Sequence, residues 1–518
     1  MLPTAATNRR AADYDALPPG PRGLPLLGNV LRYRRNLLDY LLELERTYGR
    51  MATIRIGRTP VVLFFRPEHV RYVLVENPRN FTNREVAGGL VFGKLLVLSL
   101  LSRTFNRNIV QGLQDLIGDN VITTDGDFHR DHRRLFQPAF SKARVDGYAG
   151  FIVQYTQERI EHWRAGEEID FVQHMQSLIL RIIMKILVDA DVERENADFE
   201  VQELIEKVLE QPSGLLEGIL NLQVDLPVTL YGKRMAALRK ADAYVYSLIE
   251  RRRDEGRDAG DILSMLLRAH EERGEDWTMQ RVRDELVALI SAGYETTTNS
   301  IAWTFYLLGR YPGVVEQLVR ELEIVLGGRA PRSEDLPRLT YLDCVVKESM
   351  RLYPSAWTQG RHTVESFELD GYRFPAGTMI MFSQWVLHRL PDVWEDSDAF
   401  RPDRWTESTG NEMLRWTYFP FGRGSRICIG AALAELEIRL ILATILQRYV
   451  PVLVRRDALE PLPLITLRLT GGLPISLATT ASFRRTRQLG NVAPTVASAS
   501  EVRENRAVKA EREGRVRG

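Results

Sequence analysis

Apolar positions recur at helical spacing along most of this chain, and strand-like alternation is confined to short stretches. Leu37–Tyr48 has the apolar spacing of an amphipathic helix. Met51–Phe65 then alternates and is rich in β-branched residues, which predicts a hairpin around Gly57-Arg58-Thr59-Pro60. From Tyr148 to Tyr311 the pattern is overwhelmingly helical, with one long stretch from about Thr278 to Tyr311. At ~1.5 Å per residue that helix would run roughly 50 Å, enough to cross the molecule. A second β region is predicted over Phe367–Phe382, with turn signals at Asp370-Gly371 and Pro375-Ala376-Gly377. Helical spacing returns at Ala431–Leu446. The expected fold is mainly α: one large helical body over 18–481 with a small β-rich region.

The two ends differ from this body. Residues 1–17 form a polar lead, followed by the stiff Pro18-Pro19-Gly20-Pro21, where proline fixes φ and removes a donor. Residues 482–518 are polar, charged and nearly free of large apolar side chains, so they are expected to be disordered. A length of 518 residues would ordinarily suggest about two or three domains, but no repeat or change of pattern divides the body.

Composition removes some function classes. The formal net charge of +1 gives no reason to expect nucleic acid as a partner. With only Cys344 and Cys428, a disulfide framework is not expected, and a reducing cytoplasm is the simplest compartment. Met1–Leu17 has no apolar run, so neither a secretory signal nor an N-terminal membrane anchor is expected. The most apolar stretch, Leu90–Leu101, is about twelve residues long and carries Lys94, short of the roughly twenty needed to span a bilayer.

The densest chemistry lies in Phe419-Pro420-Phe421-Gly422-Arg423-Gly424-Ser425-Arg426-Ile427-Cys428-Ile429-Gly430. The glycines before Cys428 permit a tight loop, and Gly430 removes bulk beyond the sulfur. The helix predicted from Ala431 would bring unpaired N–H groups and its dipole near the thiol, favouring thiolate. Taken alone, such a cysteine reads more often as a buried free thiol. The spacing Phe-x-x-Gly-x-Arg-x-Cys-x-Gly, however, resembles the haem-binding loop of the cytochrome P450 superfamily. The resemblance runs from about Leu17 to Ile475, with landmarks in the family's order.

It implies a soluble haem-thiolate monooxygenase carrying haem b, with Cys428 as iron ligand and Phe421 beside the cofactor. A thiolate donates electron density that favours cleavage of bound dioxygen. Ala292-Gly293-Tyr294-Glu295-Thr296-Thr297 resembles the family's oxygen groove. Gly293 and the threonines form helix poorly, and threonine hydroxyls compete for carbonyls, so a local helix opening is expected. In that likeness Thr296 hydrogen-bonds dioxygen during its activation and Glu295 helps relay protons. Thr340-Tyr341-Leu342-Asp343 reads as a capping-box start for the helix carrying Glu348 and Arg351. The likeness makes these two a buried triad with Arg404 that braces the cysteine loop; the spacing alone reads as a surface ion pair. Arg426, Arg361, His129 and Arg133 are the implied partners of the haem carboxylates. His129 stands where many relatives carry tryptophan, a departure that weakens its assignment more than that of Arg133. Cys344 fits no motif and is expected in the core.

Substrate contacts are not legible. The apolar segments 86–118 and 215–230, with Ala356 and Trp357 expected near the haem edge, suggest a hydrophobic substrate such as a fatty acid, lipid or terpenoid. No flavin or iron–sulfur signature is evident, so electrons from NAD(P)H are expected through a separate ferredoxin or flavodoxin and its reductase. Two other functions stay open: a peroxygenase using hydrogen peroxide, against which Glu295-Thr296 argues, and a non-catalytic haem-thiolate sensor.

Overall fold

The computed structural model describes residues 17–83, 117–193, 230–407 and 412–488, apart from positions 26, 31, 33–35, 58 and 456. The main helices are α1 (Leu37–Tyr48), α2 (Gly126–Phe136), α3 (Ala149–Glu161), α4 (Phe171–Val188), α5 (Leu230–Glu255), α6 (Ile262–Arg273), α7 (Met279–Arg310), α8 (Pro312–Leu326), α9 (Thr340–Leu352), α10 (Ala431–Leu446) and α11 (Thr480–Gln488). The strands are β1 (Met51–Ile56), β2 (Thr59–Phe64), β3 (Phe81–Thr82), β4 (Glu168–Asp170), β5 (Gln359–Thr363), β6 (Phe367–Leu369), β7 (Tyr372–Phe374), β8 (Met379–Phe382), β9 (Tyr449–Leu453), β10 (Pro461–Pro463), β11 (Leu467–Leu469) and β12 (Pro474–Thr479). The mainly helical expectation holds, and the boundaries of α1 and α10 match it.

Local chemistry explains where these elements start and stop. The Asn36 side chain accepts the Asp39 N–H at the start of α1, and Gly49 ends that helix at φ 76°. Thr278 caps α7 by accepting the Arg281 N–H, and Tyr311 ends it before Pro312 opens the next helix. At 32 residues and ~1.5 Å per residue, α7 is about 48 Å long. It packs along α4, α9 and α10 and buries Leu286, Ile301, Trp303 and Phe305. Phe171 of α4 stacks on Phe305 at 4.1 Å. Helix α4 is long and apolar enough to cross a membrane, but most of it lies inside the protein core.

The helices surround one apolar cluster, and a second lies between α1 and the β-rich region. Its five-stranded sheet runs β1-β2-β8-β5-β3, with β2 and β8 parallel. The predicted hairpin is β1–β2, with Arg55 opposite Pro60, so Thr59 and Pro60 belong to the strand rather than the turn.

Several expectations are revised by the structure. Thr340 is the first helical residue of α9, not a cap; Leu339 is the cap and offers no side-chain bond. The Glu321 carboxylate of α8 caps α9 instead, accepting the N–H groups of Tyr341 (2.6 Å) and Leu342 (2.9 Å). Residues 482–488 of the polar tail lie within α11, where Arg484 pairs with Glu323 at 2.7 Å. Residues 489–518, the apolar stretch 84–116 and the segment 215–229 lie outside the described residues.

Candidate active site

The cysteine loop is built by its glycines. Gly422 and Gly424 have φ 71° and 73°, a region costly for residues with a Cβ. At Gly424 a Cβ would stand 2.1 Å from the Leu74 carbonyl oxygen, so that position has no room for a side chain. The Cys428 N–H closes the loop on the Phe421 carbonyl at 2.9 Å. Phe421 itself is half-buried against the helical core. Gly430 is less constrained than expected: a Cβ there would meet Cys428 Sγ at an ordinary 3.9 Å.

Cys428 lies two residues before the cap of α10, deep in the molecule yet open to interior space. Burial pushes its pKa above the usual thiol value, against the opposing pull of a Gly430 backbone hydrogen bond and the Arg133 charge. A bound cation such as iron would supply the missing stabilisation. Cys344 is buried on α9 and burial pushes its pKa up to about 11, as befits a core thiol.

Behind the loop, Glu348 and Arg351 are fully buried. Arg351 donates to both Glu348 oxygens at 2.9 Å, and Arg404 Nε donates to Glu348 Oε1 at 2.9 Å. The Arg401 N–H and the Trp405 indole complete the carboxylate at 3.0 Å each. Burial works to raise the Glu348 pKa, but the bond and charge of Arg351, then the charge of Arg404, hold it below its ordinary value. Arg351 also donates to the carbonyls of His388 (2.8 Å), Ser397 (2.6 Å) and Ala399 (3.0 Å).

The link from this triad to the cysteine loop is His388, which the sequence reading missed. Its Nε2 accepts the Phe419 N–H at 3.1 Å, and its Nδ1 donates to the Arg351 carbonyl at 3.2 Å. Burial, then the Arg351 charge, brings its pKa down to about 3, so it stays neutral and can accept at Nε2.

The other predicted haem-carboxylate partners lie on β5, on α2 and in the loop itself. Arg361 of β5 is buried, and its hydrogen bond is to its own neighbour, the Gly360 carbonyl, at 2.7 Å. Among the described residues no carboxylate pairs with it. Burial, then the nearby Arg426 charge, brings its pKa down to about 10. Arg426 pairs with Asp125, and its pKa is lowered chiefly by burial. His129 of α2 is buried, and burial with the charges of Arg426 and Arg133 brings its pKa down to about 4. Arg133 bonds the Ile427 carbonyl at 2.7 Å, so it clasps the loop itself. Asp125, also missed, accepts the Thr82 hydroxyl (2.5 Å) and the Asn83 N–H (3.1 Å) besides Arg426. A buried guanidinium without a counter-ion beside further cations fits the two carboxylates of a haem.

Helix α7 carries the predicted oxygen groove, but it is a continuous α-helix and does not open there. Thr296 Oγ1 bonds the Ala292 carbonyl at 2.6 Å within the intact helix. Gly293 serves packing rather than opening: a Cβ would come 2.7 Å from Ile183 Cδ1 of α4. The Thr296 carbonyl accepts the hydroxyls of Ser300 and Ser355 at 2.9 Å each. Glu295 Oε1 accepts the Thr466 hydroxyl at 2.7 Å and pairs with Arg468. Trp357 is buried, with its indole N–H on the Leu464 carbonyl at 3.0 Å.

Two further pairs tie the elements together. His132 of α2 bonds the buried Glu285 of α7. Glu437 of α10, nine residues after Cys428, faces Thr297 of α7. Among the described residues its Oε1 is buried without a hydrogen-bond partner, and burial pushes its pKa up to about 8. A folded-state pKa above the unfolded value of 4.5 makes the fold lose stability as pH rises from 4.5 toward 8. Glu437→Gln is therefore expected to stabilise the protein by roughly 4 kcal/mol at pH 8 and by little near pH 4.5. Denaturant midpoints at the two pH values check this, and an equal effect at both would contradict it.

Known proteins resemble this chain in sequence and in fold. The family model for Cytochrome P450 matches residues 18–91 and 94–465. Cyclooctat-9-en-7-ol 5-monooxygenase of Streptomyces melanosporofaciens is 34% identical over 451 residues, covering 86% of this chain and 90% of its own. Pentalenene oxygenase of Streptomyces avermitilis is 29% identical over 470 residues, covering 88% and 97%. In fold, the retinoic acid-bound cyanobacterial CYP120A1 superposes with a TM-score of 0.75 at 22% identity, covering 89% of this chain and 99% of that one. Matched over most of its length by that family model and by relatives named as oxygenases, this chain belongs to the cytochrome P450 family of haem monooxygenases.

Proposed function

We propose that this chain inserts one oxygen atom of dioxygen into a terpenoid-type hydrophobic substrate, by hydroxylation or epoxidation. For hydroxylation the balance is RH + O2 + 2 e− + 2 H+ giving ROH + H2O. The terpenoid class is supported by the relatives, two of which bear the names cyclooctat-9-en-7-ol 5-monooxygenase and pentalenene oxygenase. The electrons would come from NAD(P)H through a ferredoxin or flavodoxin and its reductase, in the cytoplasm. The observation that carries the reading is the glycine-built loop that presents Cys428, shaped by Gly422 and Gly424 and closed by the Cys428 N–H on the Phe421 carbonyl.

When bound, haem supplies the electron transfer and dioxygen activation that side chains cannot. Cys428 would hold its iron. Arg361, Arg426 and His129 would hold its carboxylates, with neutral His129 donating a hydrogen bond and Arg361 gaining the counter-charge it lacks. Thr296 can turn its hydroxyl from the Ala292 carbonyl toward dioxygen, because the backbone bond of the helix survives that rotation.

A spin-state titration against a panel of terpenoid hydrocarbons, followed by product analysis with a surrogate ferredoxin system, tests the substrate class. Oxygenated terpenoid is the expected product; oxidation of fatty acids alone would count against it. Thr296→Ala is expected to keep the haem spectrum while diverting a large share of the electrons into hydrogen peroxide. Product formed per NAD(P)H at the wild-type ratio would remove Thr296 from oxygen activation.

A further inference from the structure

The place of Glu295 before Thr296 suggests a proton carrier, but its contacts suggest something else. Strands β10 and β11 form a separate two-stranded sheet, with Pro461 opposite Leu469 and Pro463 opposite Leu467. A lone two-stranded hairpin is marginal in water, so its position has to come from outside contacts. Helix α7 supplies them from Glu295, Asn299 and Trp303, spaced by four and so on one helix face. Glu295 accepts Thr466 Oγ1 and pairs with Arg468, Asn299 Nδ2 donates to Thr466 Oγ1 at 2.9 Å, and Trp303 Nε1 donates to the Leu467 carbonyl at 2.9 Å. Trp357 holds the Leu464 carbonyl from the other side, and the Leu467 N–H donates to the Ser355 carbonyl at 3.0 Å. Ser355 Oγ in turn bonds the Thr296 carbonyl.

Thr296, Ser300 and Thr304 form the neighbouring stripe of α7, about 100° around the axis. Their hydroxyls bond carbonyls one turn back, at Ala292, Thr296 and Ser300. The Glu295 carboxylate is thus engaged on the hairpin side, while the Thr296 hydroxyl lies on the other stripe. Glu295 and Thr466 are buried, and Arg468 is 21% exposed. Such a pair is poorly screened, and removing one member leaves the other's charge uncompensated.

We propose that Glu295 is a positioning residue: its ion pair with Arg468 and its bond from Thr466 lock the β10–β11 hairpin onto the helix that carries Thr296. The proposal rests on the haem monooxygenase reading of the site. The hairpin turn, Leu464–Thr466, is thereby held at a fixed place beside Ser355 and Thr296.

The test uses haem-loaded full-length protein and the variants Glu295→Gln, Arg468→Met, their double, and Arg468→Lys. Hydrogen exchange of the peptide spanning 461–469 is expected to speed up about tenfold in each single neutral variant, with little further change in the double. Binding of 4-phenylimidazole, a haem-ligating probe with an apolar ring, is expected to weaken alike in both single variants. Arg468→Lys should restore most of both properties. The proposal is overturned if Glu295→Gln and Arg468→Met both leave hairpin exchange and probe binding at the wild-type values. Wild-type protein lacking the carbon monoxide spectrum of a thiolate-ligated haem would sink the underlying reading instead. The exchange result is independent of that spectrum, so the two failures can be told apart.

Discussion

Cys428→Ser protein is expected to lose the carbon monoxide-bound Soret band of a thiolate-ligated haem, and its monooxygenase turnover should fall to background. Serine is nearly isosteric, and the bond closing the loop runs from the residue 428 N–H to the Phe421 carbonyl, so the backbone can stay as it is. Gly422 and Gly424 shape the same loop and are untouched. What changes is the donor: a hydroxyl is a far weaker source of electron density to iron than a thiolate. Cys344→Ser is the matched control, since that thiol is buried on α9 and its pKa of about 11 keeps it protonated. Retention of the thiolate spectrum in Cys428→Ser protein, or its loss in Cys344→Ser protein, would disqualify Cys428 as the ligand.

Glu348→Gln should be the most destabilising single change in the fold, costing about 3–5 kcal/mol, which is a large part of the 5–15 kcal/mol that holds a typical domain together. The substitution removes the charge that fully buried Arg351 and mostly buried Arg404 pair with at Glu348. It also weakens the acceptors for the Arg401 N–H and the Trp405 indole. The damage passes to the active site through His388, which bonds both the Arg351 carbonyl and the Phe419 N–H. The variant is therefore expected to purify with little haem as well as a lowered denaturation midpoint. Because the folded-state pKa of Glu348 lies below its ordinary value of 4.5, the wild-type triad stabilises the fold above about pH 4.5 and loses that contribution as pH falls through the folded pKa. The difference between wild type and variant should then shrink in acid. A midpoint and haem content equal to wild type at neutral pH would show that the triad is not a brace.

These two sites were unequally legible. Cys428 stands in a contiguous motif, where local sequence carries the loop glycines, the ligand and the following helix together. The triad could be named only because Glu348 and Arg351 precede the other motifs in a familiar order; their three-residue spacing is as common on surfaces. His388, Asp125 and Glu437 were not found, because each acts through a partner far away in the chain. His388 reaches Phe419, Asp125 reaches Arg426, and Glu437 reaches Thr297. A buried histidine or glutamate has no local sequence signature. Nor does the local sequence around Trp357 show that its indole packs inside and bonds Leu464.

Sequence by itself determined the helical periodicity, the hairpin β1–β2, the glycine loop and the identity of the cysteine, since all depend on spacings of a few residues. Tertiary structure alone decided how the charges are used. It capped α9 with Glu321 from another helix, and it kept α7 continuous where threonines and glycine suggested an opening. It also raised the Cys428 pKa despite the helix start, and turned Glu295 toward Arg468. In each case the deciding quantity is burial or a contact between distant segments. Desolvation and partner charge act through space at a few ångströms, and the order of residues along the chain does not encode those distances.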